Sequence, residues 1–157
     1  MEKLMFQIPA VKNTPELLNM GGRDLAGNLY QADQKSLLVN GKRIIPVMGE
    51  IHFSRLKPEE WKEAILKMRA GGVNIAATYV FWNHHEERQG EWDFSGCRDL
   101  RKFLDVCRAL DMKVWLRIGP WAHGECRHGG FPDYVQYADD FEKRTDDPKY
   151  LALVETL

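Results

Sequence analysis

Three times along this chain a short apolar run empties into a polar and aromatic loop, and each time a segment with helical spacing follows. The runs cover residues 44–48, 73–80 and 114–118. They are near-continuously apolar, which fits strands buried on both faces, and such strands belong to parallel sheets. Parallel neighbours must be joined by a crossover, usually a helix. The order β-α-β-α-β-α therefore predicts an α/β fold, a parallel sheet with helices packed on it. In such folds ligand sites form in the loops that follow the C-terminal ends of the strands. Here those loops are Gly49-Glu-Ile-His-Phe53, Phe81-Trp-Asn-His-His-Glu86 and Gly119-Pro-Trp-Ala-His-Gly-Glu-Cys-Arg-His-Gly-Gly-Phe-Pro132.

The helices carry their own signals. Pro58 suits a first helical turn, and Glu59 and Glu60 complement the helix dipole. Trp61, Ala64, Ile65 and Met68 recur at helical spacing, and Gly71-Gly72 ends the segment. Ser95 is expected to cap a second helix with Leu100, Phe103, Leu104 and Cys107 on its apolar face. A third begins at Asp147-Pro148, with Tyr150, Leu151, Val154 and Leu157 on one face. Ahead of the first unit, Asn40-Gly41 between two apolar runs predicts a hairpin, since both turn positions need positive φ. Residues 1–35 are weakly patterned, with turn signals at Asn19-Met-Gly-Gly22 and Gly27-Asn28, and read as a lead-in.

Several functions are disfavoured. No Gly-rich phosphate loop follows any strand, so no nucleotide cofactor is expected. A net charge of −1 gives no electrostatic hold on nucleic acid or an anionic membrane. No apolar run approaches the ~20 residues of a membrane span. The first ten residues do not read as a signal peptide, because Glu2, Gln7 and Pro9 interrupt the pattern; that favours the cytoplasm. Cys97, Cys107 and Cys126 are odd in number and unpatterned, which fits neither a disulfide framework nor a zinc site. Cys107 falls on a helix's apolar face and is expected in the core.

Among the loop residues, Glu125 stands out as a strand-end carboxylate beside Trp121, His123 and His128. It is either a solvated loop charge or a functional group. Glu50 reads as a salt-bridge partner or a solvated strand end. Tyr79 belongs to the core by periodicity, yet its hydroxyl lies near enough to the strand end to reach a ligand. Trp82 and Trp121 suit either packing or stacking on a sugar ring. His84-His85-Glu86 and His123-x-Glu125 invite a metal reading. Adjacent histidines on an extended chain point apart, however, and no His-x-x-x-His is present, so no metal is expected. No Ser or Cys sits in a nucleophile elbow. The loops suit a neutral polyol better than an anion, and two facing carboxylates would make the site a glycosidase.

Taken together and in order, Gly49-Glu-Ile-His-Phe53, the helix from Trp61 to Met68, Thr78-Tyr-Val-Phe-Trp-Asn-His-His-Glu86, Asp93-Phe-Ser-Gly96, Arg117-Ile-Gly-Pro-Trp-Ala-His-Gly-Glu125 and Gly129-Gly-Phe-Pro132 resemble the start of glycoside hydrolase family 35, the β-galactosidases. The resemblance runs from about residue 37 to residue 134. It implies a (β/α)8 barrel, of which 36–157 would be an N-terminal fragment, about three βα units preceded by the hairpin. It implies a retaining hydrolase of terminal β-galactosides. It makes Tyr79, Gly124 and Glu125 sugar-binding residues, places His123 beside them, and leaves Trp82 and Trp121 nearby. Glu125 becomes a substrate ligand rather than a catalytic acid.

The family's acid/base glutamate follows an asparagine at the end of strand four, and its nucleophile lies near strand seven. No Asn-Glu pair occurs in these 157 residues, so no catalytic residue is expected among them. Gly124 stands where many members have Ala, Cys126 where an aromatic or aliphatic residue is common, and Phe81 where Pro is usual. These departures bear on which sugar fits. Family members are often secreted or lysosomal, so the resemblance leaves the compartment open. A barrel needs roughly 250 residues. Three βα units would leave an unpaired parallel edge and a half-covered apolar face, so the missing barrel half is the expected partner and the isolated chain is expected to be marginally folded. Two other readings stay open: a non-catalytic carbohydrate-binding or structural remnant, and a metal-dependent hydrolase using His84, His123 and Glu125.

Overall fold

A computed structural model describes residues 16–157; the stretch assessed as a leader, and the lead-in as far as residue 15, lie outside the described residues. The chain divides into two compact units after Pro46.

The first unit is a four-stranded antiparallel sheet, β1 (Leu17–Arg23), β2 (Leu29–Asp33), β3 (Leu37–Val39) and β4 (Lys42–Ile44), in sequential order. The expected hairpin joins β3 to β4. Asn40 and Gly41 take φ of 50° and 75°, and Val39 faces Lys42 across the turn. The Asn40 side chain also accepts the Leu29 N–H at 2.9 Å, tying the turn to β2. Two strands, β1 and β2, lie in the stretch read as a lead-in. Strand β1 is exposed along its whole length, carries Gly21 and Gly22, and shifts register between Leu17 and Gly21, so no alternation marked it. Arg43 closes the sheet onto Asp33 with N···O distances of 2.5 and 3.0 Å, and this guanidinium holds the Asp33 carboxyl well below the usual range.

The second unit is mixed α/β. Its centre is a parallel sheet of β5 (Met48–Glu50), β6 (Ile75–Val80) and β9 (Lys113–Ile118), again in sequential order. Between them run α1 (Pro58–Ala70), a helical turn α2 (Trp82–His85), a short β7–β8 hairpin (Glu86–Arg88, Glu91–Trp92) and α3 (Leu100–Ala109). After β9 come α4 (Asp133–Gln136) and α5 (Pro148–Val154). Strand β5 starts at Met48 rather than at residue 44, because Ile44 pairs in β4 and Pro46 has no N–H to donate. The cap of α3 is Asp99, whose carboxylate accepts the Lys102 N–H at 2.9 Å. Ser95 instead donates its hydroxyl to Asp93 at 2.7 Å. Its N–H bonds the same carboxylate, and with Arg98 these contacts hold the Asp93 carboxyl down to about 2.

One face of the sheet packs on α1 and α3. Phe53, Trp61, Ile65, Ala76, Phe103, Cys107 and Met112 form this core, with Val114 against it. Burial pushes the Cys107 thiol up to about 11, as an inert core cysteine requires. Leu104, expected on the same face, is only half-buried and outside this core. Because side chains alternate along a strand, Ala77, Tyr79, Trp115 and Arg117 project from the opposite face. Trp115 on that face is 56% exposed. A second core gathers Trp82, Phe131, Val135 and Tyr150. Among the described residues no helix is long and apolar enough to cross a membrane.

Candidate functional site

The C-terminal ends of β5, β6 and β9 bring one polar cluster together. Tyr79 and Arg117 are cross-strand neighbours, so both side chains stand on the same face. The Arg117 guanidinium lies over the Tyr79 ring, 3.9 Å from its centroid, and Nη1 donates to the Tyr79 hydroxyl at 2.9 Å. Nη2 forms an ion pair with Glu50 at the end of β5. The backbone N–H of His123, in the loop after β9, donates to the same tyrosine hydroxyl at 3.3 Å. His52 stacks on Tyr79 at 5.7 Å, with its Nε2 3.2 Å from Glu50. Burial lowers the His52 pKa, Arg55 and Arg117 push the same way, and Glu50 opposes them.

The loop residues 121–132 are shaped by glycine. A Cβ on Gly129, at φ +61°, would fall 2.3 Å from the Trp121 ring. A Cβ on Gly124 would lie 3.1 Å from the Phe81 ring and 3.7 Å from Tyr79. Two of the three positions that depart from the pattern the sequence resembles therefore touch: a larger Phe81 fills space that a smaller residue 124 leaves open. Arg55 Nη2 donates to the Glu125 carbonyl at 2.7 Å and fixes the backbone there. The Glu125 carboxylate is exposed and has no protein partner among the described residues.

Of the sequence candidates, Tyr79, His123, Gly124 and Glu125 share this corner, although the His123 side chain itself is exposed. Trp82 does not: it is fully buried in the second core, and its Nε1 donates to Glu86 at 2.5 Å. Trp121 packs against Phe131 at 5.4 Å on the edge of that core, with the Arg144 guanidinium 4.6 Å from its ring centroid. Both indoles pack rather than present a face at the strand ends. Arg117, His52 and Arg55 were not singled out in the sequence. Their signals were a charge inside an apolar run and two polar residues flanking Phe53.

His84 and His85 do point apart, one exposed and the other buried. Among the described residues no three His, Cys, Asp or Glu side chains gather as a ligand set. His85 sits between Phe53 and Phe94, with Nδ1 3.1 Å from the Asp93 carbonyl. Burial lowers its pKa. The unfolded chain therefore binds the proton more readily, so stability is full above the ordinary histidine pKa and falls as pH drops through it. Urea midpoints are expected to decline from about pH 7 to about pH 5, with His52 adding in the same direction, and His85→Phe should flatten the slope. A midpoint that rises on acidification over this range would refute the assignment.

The arrangement offers hydrogen-bond donors, acceptors and aromatic walls at half-exposed strand ends, which suits a polyhydroxylated ligand. The model of glycosyl hydrolases family 35 matches residues 36–157. The chain is 41% identical over 118 residues to β-galactosidase 11 of Arabidopsis thaliana, covering 75% of this chain and 14% of that protein. Against β-galactosidase 11 of Oryza sativa subsp. japonica it is 37% identical over 134 residues, 83% of this chain and 16% of the relative. The chain thus spans only about a seventh of the length of these relatives. Among solved structures, the exo-β-1,4-mannosidase Op5Man5 from Opitutaceae bacterium strain TAV5 superposes with a TM-score of 0.56 at 19% identity, over 85% of this chain and 22% of that one, a likeness of fold. The family match over residues 36–157, together with this identity to curated β-galactosidases over three quarters of the chain, makes the chain a member of glycosyl hydrolase family 35.

Proposed function

We propose that residues 36–157 are the opening part of a (β/α)8 catalytic barrel that hydrolyses terminal non-reducing β-galactosides with retention. In that barrel Tyr79, His123, Gly124 and Glu125 line the pocket for the sugar, while Trp82 and Trp121 brace the loops that carry them. The sequential parallel order of β5, β6 and β9 is what the first strands of such a barrel require. The observation that carries the reading is the linking of three strand ends, Glu50 to Arg117 and Arg117 to the Tyr79 hydroxyl, in a family 35 chain. The two carboxylates of the retaining mechanism belong to segments outside these 157 residues, which hold no Asn-Glu pair.

The test is a chimera in which residues 36–157 replace the matching segment of Arabidopsis β-galactosidase 11. It should hydrolyse nitrophenyl β-galactoside in preference to the β-glucoside and β-mannoside. Glu125→Gln in the chimera should lower kcat/KM by roughly 10- to 100-fold, because a charge-assisted hydrogen bond to a sugar hydroxyl is lost. A folded chimera with no preference for galactoside would overturn the reading. A second reading is a carbohydrate-binding remnant. Sugar binding by the 157-residue chain, together with an inactive chimera, would favour it.

A further inference from the structure

The Tyr79 hydroxyl is held in an unusual way. It receives one hydrogen bond from Arg117 Nη1 and one from the backbone N–H of His123, at 2.9 and 3.3 Å. Neither partner has a lone pair to offer, so each must donate. A phenolic hydroxyl has two acceptor sites and one proton. Both acceptor sites are therefore filled by the protein, and among the described residues nothing accepts the proton. Tyr79 is itself only 7% exposed, so its ring cannot swing away to bond bulk water without breaking its packing against His52 and Phe81.

We infer that Arg117 and Glu50 are positioning residues that lock Tyr79 as a hydrogen-bond donor, its single proton reserved for an oxygen of the bound sugar. The inference rests on the sugar-pocket reading above and adds to it the polarity of the contact. Arg117 supplies two effects at once: its guanidinium covers the ring face and its Nη1 fills the hydroxyl's lone pair. Glu50 takes Nη2 and so fixes the rotation of the guanidinium plane. The other oxygen of Glu50 lies 3.2 Å from His52, which stacks on the same tyrosine. The cluster is thus a clamp with Tyr79 at its centre. A ligand oxygen that can accept is retained, and a ligand group that can only donate finds no lone pair free.

The experiment reads the resonance in the 157-residue chain with tyrosine labelled at 13Cζ, and reads Kd in the chimera described above with methyl β-galactoside as the probe. The variants are Tyr79→Phe, Arg117→Lys, their double variant and Glu50→Gln. Lysine keeps a charge for Glu50 but cannot hold carboxylate and phenol in one planar fork. Without sugar, Arg117→Lys should move the Tyr79 Cζ resonance and leave the other tyrosines in place. With sugar, Tyr79→Phe and Arg117→Lys should each raise Kd by about tenfold, the size of one hydrogen bond, and the double variant should be no worse than either alone. Glu50→Gln, half-exposed and least disruptive, should give a smaller shift of the same resonance. An unmoved Tyr79 resonance, or losses that add in the double variant, would overturn the positioning role. A resonance that responds in the chain while the chimera binds no galactoside would instead remove the sugar-pocket reading and the sugar as the acceptor, with the Arg117 clamp still standing.

Discussion

Replacing Glu86 with alanine is expected to lower the stability of the chain by about 3–5 kcal/mol, because three neutral donors lose their buried acceptor at about 1–3 kcal/mol each. Glu86 is only 2% exposed. Its Oε2 accepts the Trp82 indole N–H at 2.5 Å and the Tyr134 hydroxyl at 2.6 Å, while Oε1 accepts the Gly90 N–H at 2.6 Å. Burial and the neighbouring carboxylate push the Tyr134 hydroxyl far above the ordinary tyrosine range, so it stays protonated and donates. Alanine would leave these three donors without an acceptor, two of them on residues packed edge to face against each other. Glu86→Gln should lose less, about 1–3 kcal/mol, since the amide keeps one acceptor oxygen and presents an N–H to at least one donor. Urea unfolding followed by tryptophan fluorescence reads both. A loss under about 1 kcal/mol for alanine would mean that water replaces the carboxylate, and that this corner is more open than its burial implies.

That carboxylate illustrates what the sequence could and could not reveal. His84-His85-Glu86 invites a metal reading because chemistry-bearing types sit side by side. In the fold each of the three serves a different surrounding. Residues 82–85 form one helical turn directly after β6, which brings Trp82 and Glu86, four positions apart, onto one side. Nothing in composition or strand periodicity announces that turn. The three parallel strands, by contrast, were legible because a short apolar run between helical segments has few alternatives. So was the Asn40-Gly41 turn, where positive φ narrows the choice of residues. Strands β1 and β2 were not: β1 is exposed throughout and shifts register against β2, and β2 is half-buried at residue after residue, so neither alternates.

The candidate site divides in the same way. Tyr79 and the loop from His123 to Glu125 could be picked out because they sit at strand ends and match a family motif. Arg117 was hidden by the property that should have exposed it. It lies inside the third apolar run, where a periodicity reading treats a charge as a blemish in a good strand. A charged group there needs a partner, and Glu50 at the end of the first run is its complement. Register, which sequence does not give, is what sets Arg117 opposite Tyr79. The two tryptophans were ambiguous in the other direction: an indole serves a core or a sugar equally well, and it is the turn after β6 that puts Trp82 in the second core and a glycine at 129 that lets Trp121 pack where it does.

Trp61→Ala is expected to cost about 3–5 kcal/mol, the usual range for emptying an aromatic site in a core. Trp61 is fully buried on α1, packs edge-on against Phe53 at 6.1 Å and Phe103 at 5.7 Å, and so joins both flanking helices to the loop after β5. Its Nε1 donates to the Phe53 carbonyl at 2.9 Å, an oxygen that would keep only the Leu56 N–H, at 3.1 Å, once the indole is gone. Phe53 follows His52 directly and His52 stacks on Tyr79, so the cavity opens behind the wall of the candidate site. Trp61→Phe should recover much of the packing but not the hydrogen bond, leaving a loss of about 1–3 kcal/mol. Amide exchange separates a local effect from a global one. If the core supports the site, exchange in the 51–56 loop should quicken more than in β9, which meets the same core through Val114 but lies beyond β6. Equal quickening in both would mean that sheet and helices open as one cooperative body, and that the Glu50–Arg117–Tyr79 cluster is lost only when the whole unit unfolds.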